Sequence, residues 1–468
     1  MHANWDNTYA RLSDEMYVKQ KPTPVSSPSG LVLNKGLAND LGILFDEDWF
    51  EYMSGNKLPE DANPISQAYA GHQFGHWNPQ LGDGRAILLG EIFGDAGHVD
   101  LQLKGSGRTR WSRSGDGRAW YGPVLREYLV SEAMHALRVP TTRALAAVAT
   151  GENILREQGS LPGAIICRTA RSHIRVGTFQ YFSSRNDLIS LQSLFDYTVK
   201  RHFQKARTAD DLLKQAVQKH ADLVANWMSI GFIHGVMNTD NSHVAGISID
   251  YGPCAFMDDF IPSKVFSSID RQGRYAYNNQ PNIAAWNLAQ FATALLPLAN
   301  NQKAAIKRYT EIIHGFSEEF EKKYNKIYAK KIGHDTEKNS LKLVQQLLKM
   351  MADKAADYTQ TFRALGNGEI NRHIGDHPDF KLWYQEWSEG ADITLLNDVN
   401  PAIIPRNHLV EKMITDAVNG DMGLFHDLNA ALKTPFQRPN NSIFSLPPNR
   451  NEVITKTCLL YTSPSPRD

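Results

Sequence analysis

The run "GFIHGVMNTDNSHVAGISIDYGP", residues 231–253, gathers Asp240, Asn241 and Asp250 around one short apolar stretch. Two carboxylates and an amide at this spacing suit two tasks: handling the proton of an attacking hydroxyl, and holding a divalent cation against phosphate oxygens. A purely structural network competes with that reading, because Asn and Asp also favour turns. "HGVMNTDN" reads as a loop. "HVAGISID" reads as a short strand that faces the core through Ile247 and Ile249 and ends at Asp250.

Further candidates lie upstream. Lys104 closes "HVDLQLKG" and is followed by "GSG", which lets the backbone approach a ligand. A lysine at a strand end is more often simply solvated. In "QLGDGRAILLGE", Gly82 and Gly84 bracket Asp83, and Arg85 leads into a strand; "SRSGDGRAW" repeats the theme with Asp116 and Gly117. Backbone N–H groups in such turns cradle phosphate, although each turn alone is equally a hairpin. Arg168 and Arg175, in "ICRTARSHIRVGTFQYF", have the fork that suits phosphate. With Arg171 between them, spacing alone favours a surface patch.

The elements that must position these groups are legible in outline. "RAILLGEIF" and "HVDLQLKG" are strands. In the second, Val99, Leu101 and Leu103 alternate with Asp100, Gln102 and Lys104, the period of a strand with one buried face. "YGPVLREYLVSEAMHALRVP" is a helix, with Pro123 in its first turn and Pro140 beyond its end. Its apolar stripe runs through Leu125, Tyr128, Leu129, Ala133, Ala136 and Leu137. Glu132 falls inside the stripe and Glu127 opposite, so periodicity favours Glu132 as the buried partner of Lys104. A helix-edge glutamate reaching water is the competing reading. Helical patterns dominate after residue 190: first "DLLKQAVQKHADLVANWMSIGF", then 283–299, 302–328, 340–364 and 407–432. The fold class expected is α+β, with 1–64 as an N-terminal extension, 65–185 strand-rich and 186–457 mainly helical.

Bulk properties narrow the function classes. Lys+Arg and Asp+Glu are both 50 in 468 residues, so a net charge of zero gives no support to nucleic acid or an anionic membrane as partner. The N-terminus has no apolar signal segment, and Asn287, Gln290, Thr293 and Pro297 interrupt the most apolar stretch. Cys167, Cys254 and Cys458 have no paired spacing, which argues against a disulfide framework and for a cytoplasmic protein. The last residues, 458–468, "CLLYTSPSPRD", resemble a translated sequencing adapter and read as a non-native tail.

The segments "AYAGHQFGHWNPQLGDGRAILLGE", "LQLKGSGRTRWSRSGDGRA", "REYLVSEAMHAL", "SHIRVGTFQYF" and "HGVMNTDNSHVAGISIDYGP" together resemble the selenoprotein O family, including its bacterial YdiU-type members. The resemblance implies a protein-kinase-like, two-lobed fold that transfers AMP from ATP to Ser, Thr or Tyr hydroxyls of proteins. It also implies that Lys104 meets ATP phosphates and pairs with Glu127, against the periodicity argument for Glu132. By the same resemblance Gly82, Gly84, Arg85, Asp116 and Gly117 line the nucleotide, and Arg168 and Arg175 grip the outer phosphates of a flipped ATP. Asp240 is then the base, and Asn241 and Asp250 bind Mg²⁺, with Mn²⁺ as the variant. UTP-dependent uridylylation, γ-phosphoryl transfer and a non-catalytic pseudokinase are the competing functions. Some members carry a selenocysteine or cysteine near the C-terminus, a role not given to Cys458.

Overall fold

A computed structural model describes residues 1–454 except 96, 158, 335 and 336, so Cys458 and the tail lie outside the described residues. Twelve strands are present among the described residues: β1 (Tyr17–Lys19), β2 (Ser29–Leu33), β3 (Ile65–Gln67), β4 (Gly71–Gln73), β5 (His76–Asn78), β6 (Ala86–Gly94), β7 (Gly97–Lys104), β8 (Ala119–Trp120), β9 (Arg143–Arg156), β10 (Gly159–Ala170), β11 (Phe232–Ile233) and β12 (Ala255–Phe256). Eight of them form one antiparallel sheet in the order β1-β3-β6-β7-β10-β9-β2, with β8 against β10. The outermost strands of this path, β1 and β2, both come from the first 64 residues.

The helices that matter for the site are α1 (Lys35–Asp40), α2 (Trp49–Ser54), α3 (Tyr121–Ala136), α4 (Val176–Ser183), α5 (Leu188–His202), α6 (Ala209–Ser229) and α7 (Gln280–Leu295). Leu89, Leu101, Leu103, Ile165 and Cys167 of the sheet pack with Leu37 of α1 and Met53 of α2. Helix α3 packs on Ala147, Ala164 and Ile166, and its other side is covered by Leu409, Val410 and Met413 of the helix Asn407–Val418. The later helices close around Phe179, Leu213, Phe232 and Phe291. The architecture is mixed α/β with antiparallel sheets.

Three local expectations differ from the structure. First, β7 is buried on both faces: Asp100, Gln102 and Lys104 are as inaccessible as Val99, Leu101 and Leu103. The alternation marks an apolar face and a buried polar one, and burial of the polar face requires partners. Second, three of the long helical patterns are broken. Gly315 divides Gln302–His314 from Phe316–Lys331, Ala355 (φ 46°) follows Glu337–Lys354, and Gly420 (φ 93°) follows Asn407–Val418. Hydrophobic periodicity continues across such breaks because both halves bury the same side. Third, "HVAGISID" is not a strand. Its backbone makes one bridge with Arg175 through His243 and another with Thr141 through Ser248. Gly246 (φ 63°) turns the chain between them, where a Cβ would meet the Lys219 carbonyl at 2.7 Å. Ile249 is buried as expected, whereas Ile247 is only half-buried.

Candidate active site

Gly82, Gly84, Arg85, Lys104, Gly117, Arg168, Arg175, Asp240, Asn241 and Asp250 all line one cleft of about 510 Å³. Strand β7 delivers Lys104 to its floor, and β10, paired beside it, delivers Arg168. Lys104 Nζ lies 2.6 Å from Glu127 Oε2 of α3 and 2.7 Å from Asp250 Oδ1. Arg168 Nη1 reaches the same two carboxylates, at 3.1 Å and 2.6 Å, while its Nε donates to Gln102 Oε1 at 2.8 Å. Two cations and two carboxylates thus form a closed, buried square. Such a square is tolerable only because every charge has opposite partners at hydrogen-bond distance.

Asp250 adopts a left-handed backbone (φ 63°), which turns its carboxylate into this cluster. Burial opposes its ionisation, but Arg168, Lys104 and Arg175 together hold its pKa well below the usual carboxylate range. Arg175 is the residue that precedes α4. Its Nη2 lies 3.7 Å from Asp250 Oδ2, its Nη1 lies 3.7 Å from Asp83 Oδ1, and its guanidinium stacks on Tyr69 at 4.5 Å. Asp83 is buried, and burial raises its pKa; Oδ2 accepts from Gln67 N and Gln102 Nε2, and Oδ1 has no hydrogen-bond partner. Arg85 is half-buried, its pKa lowered by burial, and its side chain makes no ion pair or hydrogen bond with the described residues.

Asp240 sits in a single 3-10 turn, Thr239–Asn241, and lines the same cleft. Burial pushes its pKa up to about 6, against the hydrogen bond that Gln73 Nε2 donates to Oδ2 at 3.0 Å. Its other oxygen, Oδ1, is buried without a partner. The turn is fixed by close backbone approach. A Cβ on Gly177 would collide with the Ala70 carbonyl and lie 3.4 Å from Asp240 Cα, and one on Gly71 would sit 3.1 Å from Asp240 Oδ1. Asn241 donates through Nδ2 to the Val236 carbonyl at 3.2 Å, which orients the amide.

Asp116 and Glu127 do not line the cleft. Glu127 stands behind Lys104 and Arg168. Asp116 forms a two-point pair with Arg156 (2.8 and 3.0 Å) and accepts from Arg118 N, which shapes the turn that carries Gly117. Glu132, favoured by periodicity as the partner of Lys104, instead binds Arg143 Nε and Nη2 at 2.8 and 2.7 Å and Asn34 Nδ2 at 2.7 Å. Helix α3 is buried on nearly every side, from Gly122 to Ser131, so its stripe could not say which glutamate points to the sheet. Gln73, Asp83, Tyr69 and Gly177 escaped sequence reasoning as site residues, although each lies inside a stretch that resembles the family.

No group of three or more His, Cys, Asp or Glu side chains suited to a metal occurs among the described residues. A nucleotide-bound Mg²⁺ does not need one, since phosphates and waters complete its six oxygens. Asp250 Oδ2 and the Asn241 carbonyl oxygen have that donor chemistry and line the same cleft.

A sheet lysine locked to a helix glutamate, facing a turn of carboxylates and an amide, belongs to the class of phosphate-handling transferases. Comparison with known proteins makes the assignment narrower. Residues 1–433 match the family described as protein adenylyltransferase SelO, and the chain belongs to that family of enzymes. It is 51% identical to the protein nucleotidyltransferase YdiU of Ruegeria sp. (strain TM1040) over 97% of this chain and 98% of that one. It is 49% identical to the YdiU of Bacillus thuringiensis (strain Al Hakam), covering 92% and 93%, and 46% identical to that of Pelagibacter ubique, covering 97% and 99%. No helix among the described residues is long and apolar enough to cross a membrane.

Proposed function

We propose that the protein transfers AMP from ATP to Ser, Thr or Tyr hydroxyls of other proteins through a kinase-like, two-lobed arrangement. The observation that carries the reading is the pair Arg168 and Arg175. Both are fully buried and reach Asp250 where Lys104 and Glu127 converge, while Asp240, lining the same cleft, forms no ion pair with the described residues and keeps an unpartnered oxygen. Cations gathered around Asp250 favour the β- and γ-phosphates there, which leaves the α-phosphorus toward the acceptor side.

In this reading the hydroxyl oxygen attacks the α-phosphorus, and the bond to the α–β bridging oxygen breaks. Pyrophosphate leaves with the electron pair, and the hydroxyl proton passes to Asp240 Oδ1. A carboxyl whose pKa lies near 6 is ionised at neutral pH yet basic enough to accept a proton in the transition state. Lys104, Arg168 and Arg175 offset charge growing on the leaving group, and Glu127 keeps Lys104 in place. Asn241 and Asp250 would hold Mg²⁺, or Mn²⁺, which when bound neutralises phosphate charge.

The test is incubation with protein acceptors and ATP labelled at the α or the γ position. Retention of the α label on protein is expected; transfer of the γ label alone would identify a phosphoryl kinase. The same experiment with UTP and Mn²⁺ exposes uridylylation, and absence of every label under all conditions would identify a nucleotide-binding pseudokinase.

A further inference from the structure

Two segments that line the cleft are tied to the turn that carries Asp240. One is the β4–β5 hairpin, whose Phe74 N donates to Asn238 Oδ1 at 3.0 Å and whose His72 N donates to Thr239 Oγ1 at 2.7 Å. The other is 269–274, held by Tyr275. Tyr275 Oη donates to the same Asn238 Oδ1 at 2.7 Å, and its ring meets Phe74 edge to face at 5.3 Å. Asn238 lies two residues before Asp240, so a single amide oxygen fixes both segments relative to the base.

Charge is distributed unevenly along the cleft. Lys104, Arg168 and Arg175 each have a carboxylate within 4 Å, whereas Arg85 has none within that distance among the described residues. Segment 269–274 carries Arg271 and Arg274, and neither forms an ion pair with the described residues. Arg271 is exposed, and its side chain makes no hydrogen bond with the described residues. Arg274 is half-buried, stacked on Trp286 at 4.7 Å and on Tyr275 at 5.7 Å, with Nε and Nη2 lacking hydrogen-bond partners. The adjacent carboxylate, Asp270, accepts instead from the backbone N–H groups of Arg274 and Tyr275, at 2.9 and 2.7 Å. His72 meets the rings of Trp77 and Trp286 at 4.9 and 5.3 Å, and burial lowers its pKa, which favours the neutral imidazole.

Apolar surface adjoins these arginines: Trp77 at the hairpin is 41% exposed and Ile269 is 46% exposed. One stacked and one exposed guanidinium group, neither ion-paired with the described residues, near exposed apolar side chains are complementary to an acidic polypeptide with some apolar character. We propose that Arg271 and Arg274, with Trp77 and Ile269, form the docking surface for the acceptor polypeptide, and that this surface selects hydroxyls flanked by Asp or Glu. The inference rests on the reading of Asp240 as the acceptor-side base.

The experiment uses the full chain and two fluorescein-labelled peptides, each with a central Tyr and a Leu, flanked on both sides by Glu in one and by Lys in the other. Fluorescence anisotropy in the presence of a non-hydrolysable ATP analogue should show the Glu peptide bound about tenfold or more tightly than the Lys peptide. Arg271→Glu, a change at an exposed position, should erase most of that preference, and the double change with Arg274→Glu should reverse it. Affinity for the ATP analogue should stay within about twofold in the Arg271→Glu protein. Equal binding of the two peptides by the unmodified protein, or an unchanged preference in Arg271→Glu, overturns the proposal. So does a parallel loss of nucleotide affinity, which would make these arginines phosphate ligands. Transfer of α label to the same peptides is a separate reading. Intact Glu preference without transfer would sustain the docking surface and count against adenylylation.

Discussion

Replacing Asp240 with Asn separates the electrostatic cost of the buried carboxylate from its role in transfer. The group is buried, keeps one hydrogen bond from Gln73, and leaves Oδ1 unpartnered. Its pKa rises from 3.8 to about 6 on folding. At 1.36 kcal/mol per pH unit, that interval corresponds to about 3 kcal/mol. The sign follows from proton binding. The folded state holds the proton more tightly than the unfolded chain, so the contribution is fully present below pH 3.8 and is lost as pH rises through about 6. Roughly half of the loss falls between pH 5 and 8. Asn preserves the Gln73 contact without the charge. Urea unfolding of the nucleotide-free and metal-free protein should therefore show the Asn variant gaining about 1–2 kcal/mol relative to the parent between pH 5 and pH 8. The same variant should lose about 10²–10⁴-fold in label transfer, and the parent's rate should fall below about pH 6. A stability difference that does not change with pH would refute the buried-carboxylate argument, whatever happens to activity.

Glu127→Ala leaves Lys104 and Arg168 buried with one acceptor fewer each, and should cost about 3–5 kcal/mol in chemical denaturation. Glu127→Gln, which retains an acceptor oxygen, should cost less. Because Arg168, Lys104 and Arg175 outweigh burial and depress the Asp250 pKa, its stabilising contribution is present above the ordinary carboxylate range and lost as pH falls below it. Asp250→Asn should accordingly lower the melting temperature at pH 7 as well as abolish α-label transfer, and an unchanged melting temperature would remove Asp250 from the charge cluster. Gly177→Ala places a methyl against the Ala70 carbonyl and the Asp240 backbone. It should cut transfer at least tenfold through displacement of the turn, with ATP affinity measured by calorimetry changing far less.

The sequence by itself determined the inventory of chemistry and much of the secondary structure. Lys104 at a strand end, the helix after it and the Asp240–Asn241–Asp250 run are local features, set by alternation, by proline placement and by turn-forming residues. The ordered motifs fixed the family as well. Tertiary structure decided which charges meet. Glu127 and Glu132 are five residues apart on one helix that is buried nearly all round, so only the docking of α3 against the sheet assigns the first to Lys104 and the second to Arg143. Likewise Arg168 and Arg175 read as a surface patch until β10 pairs with β7 and the turn before α4 folds back, which carries both guanidinium groups to Asp250. The expected strand before Asp250 dissolved for the same reason: its backbone hydrogen bonds go to two distant segments, at Arg175 and Thr141. Periodicity reports which residues are buried, and partner choice among buried charges depends on contacts far apart in the chain.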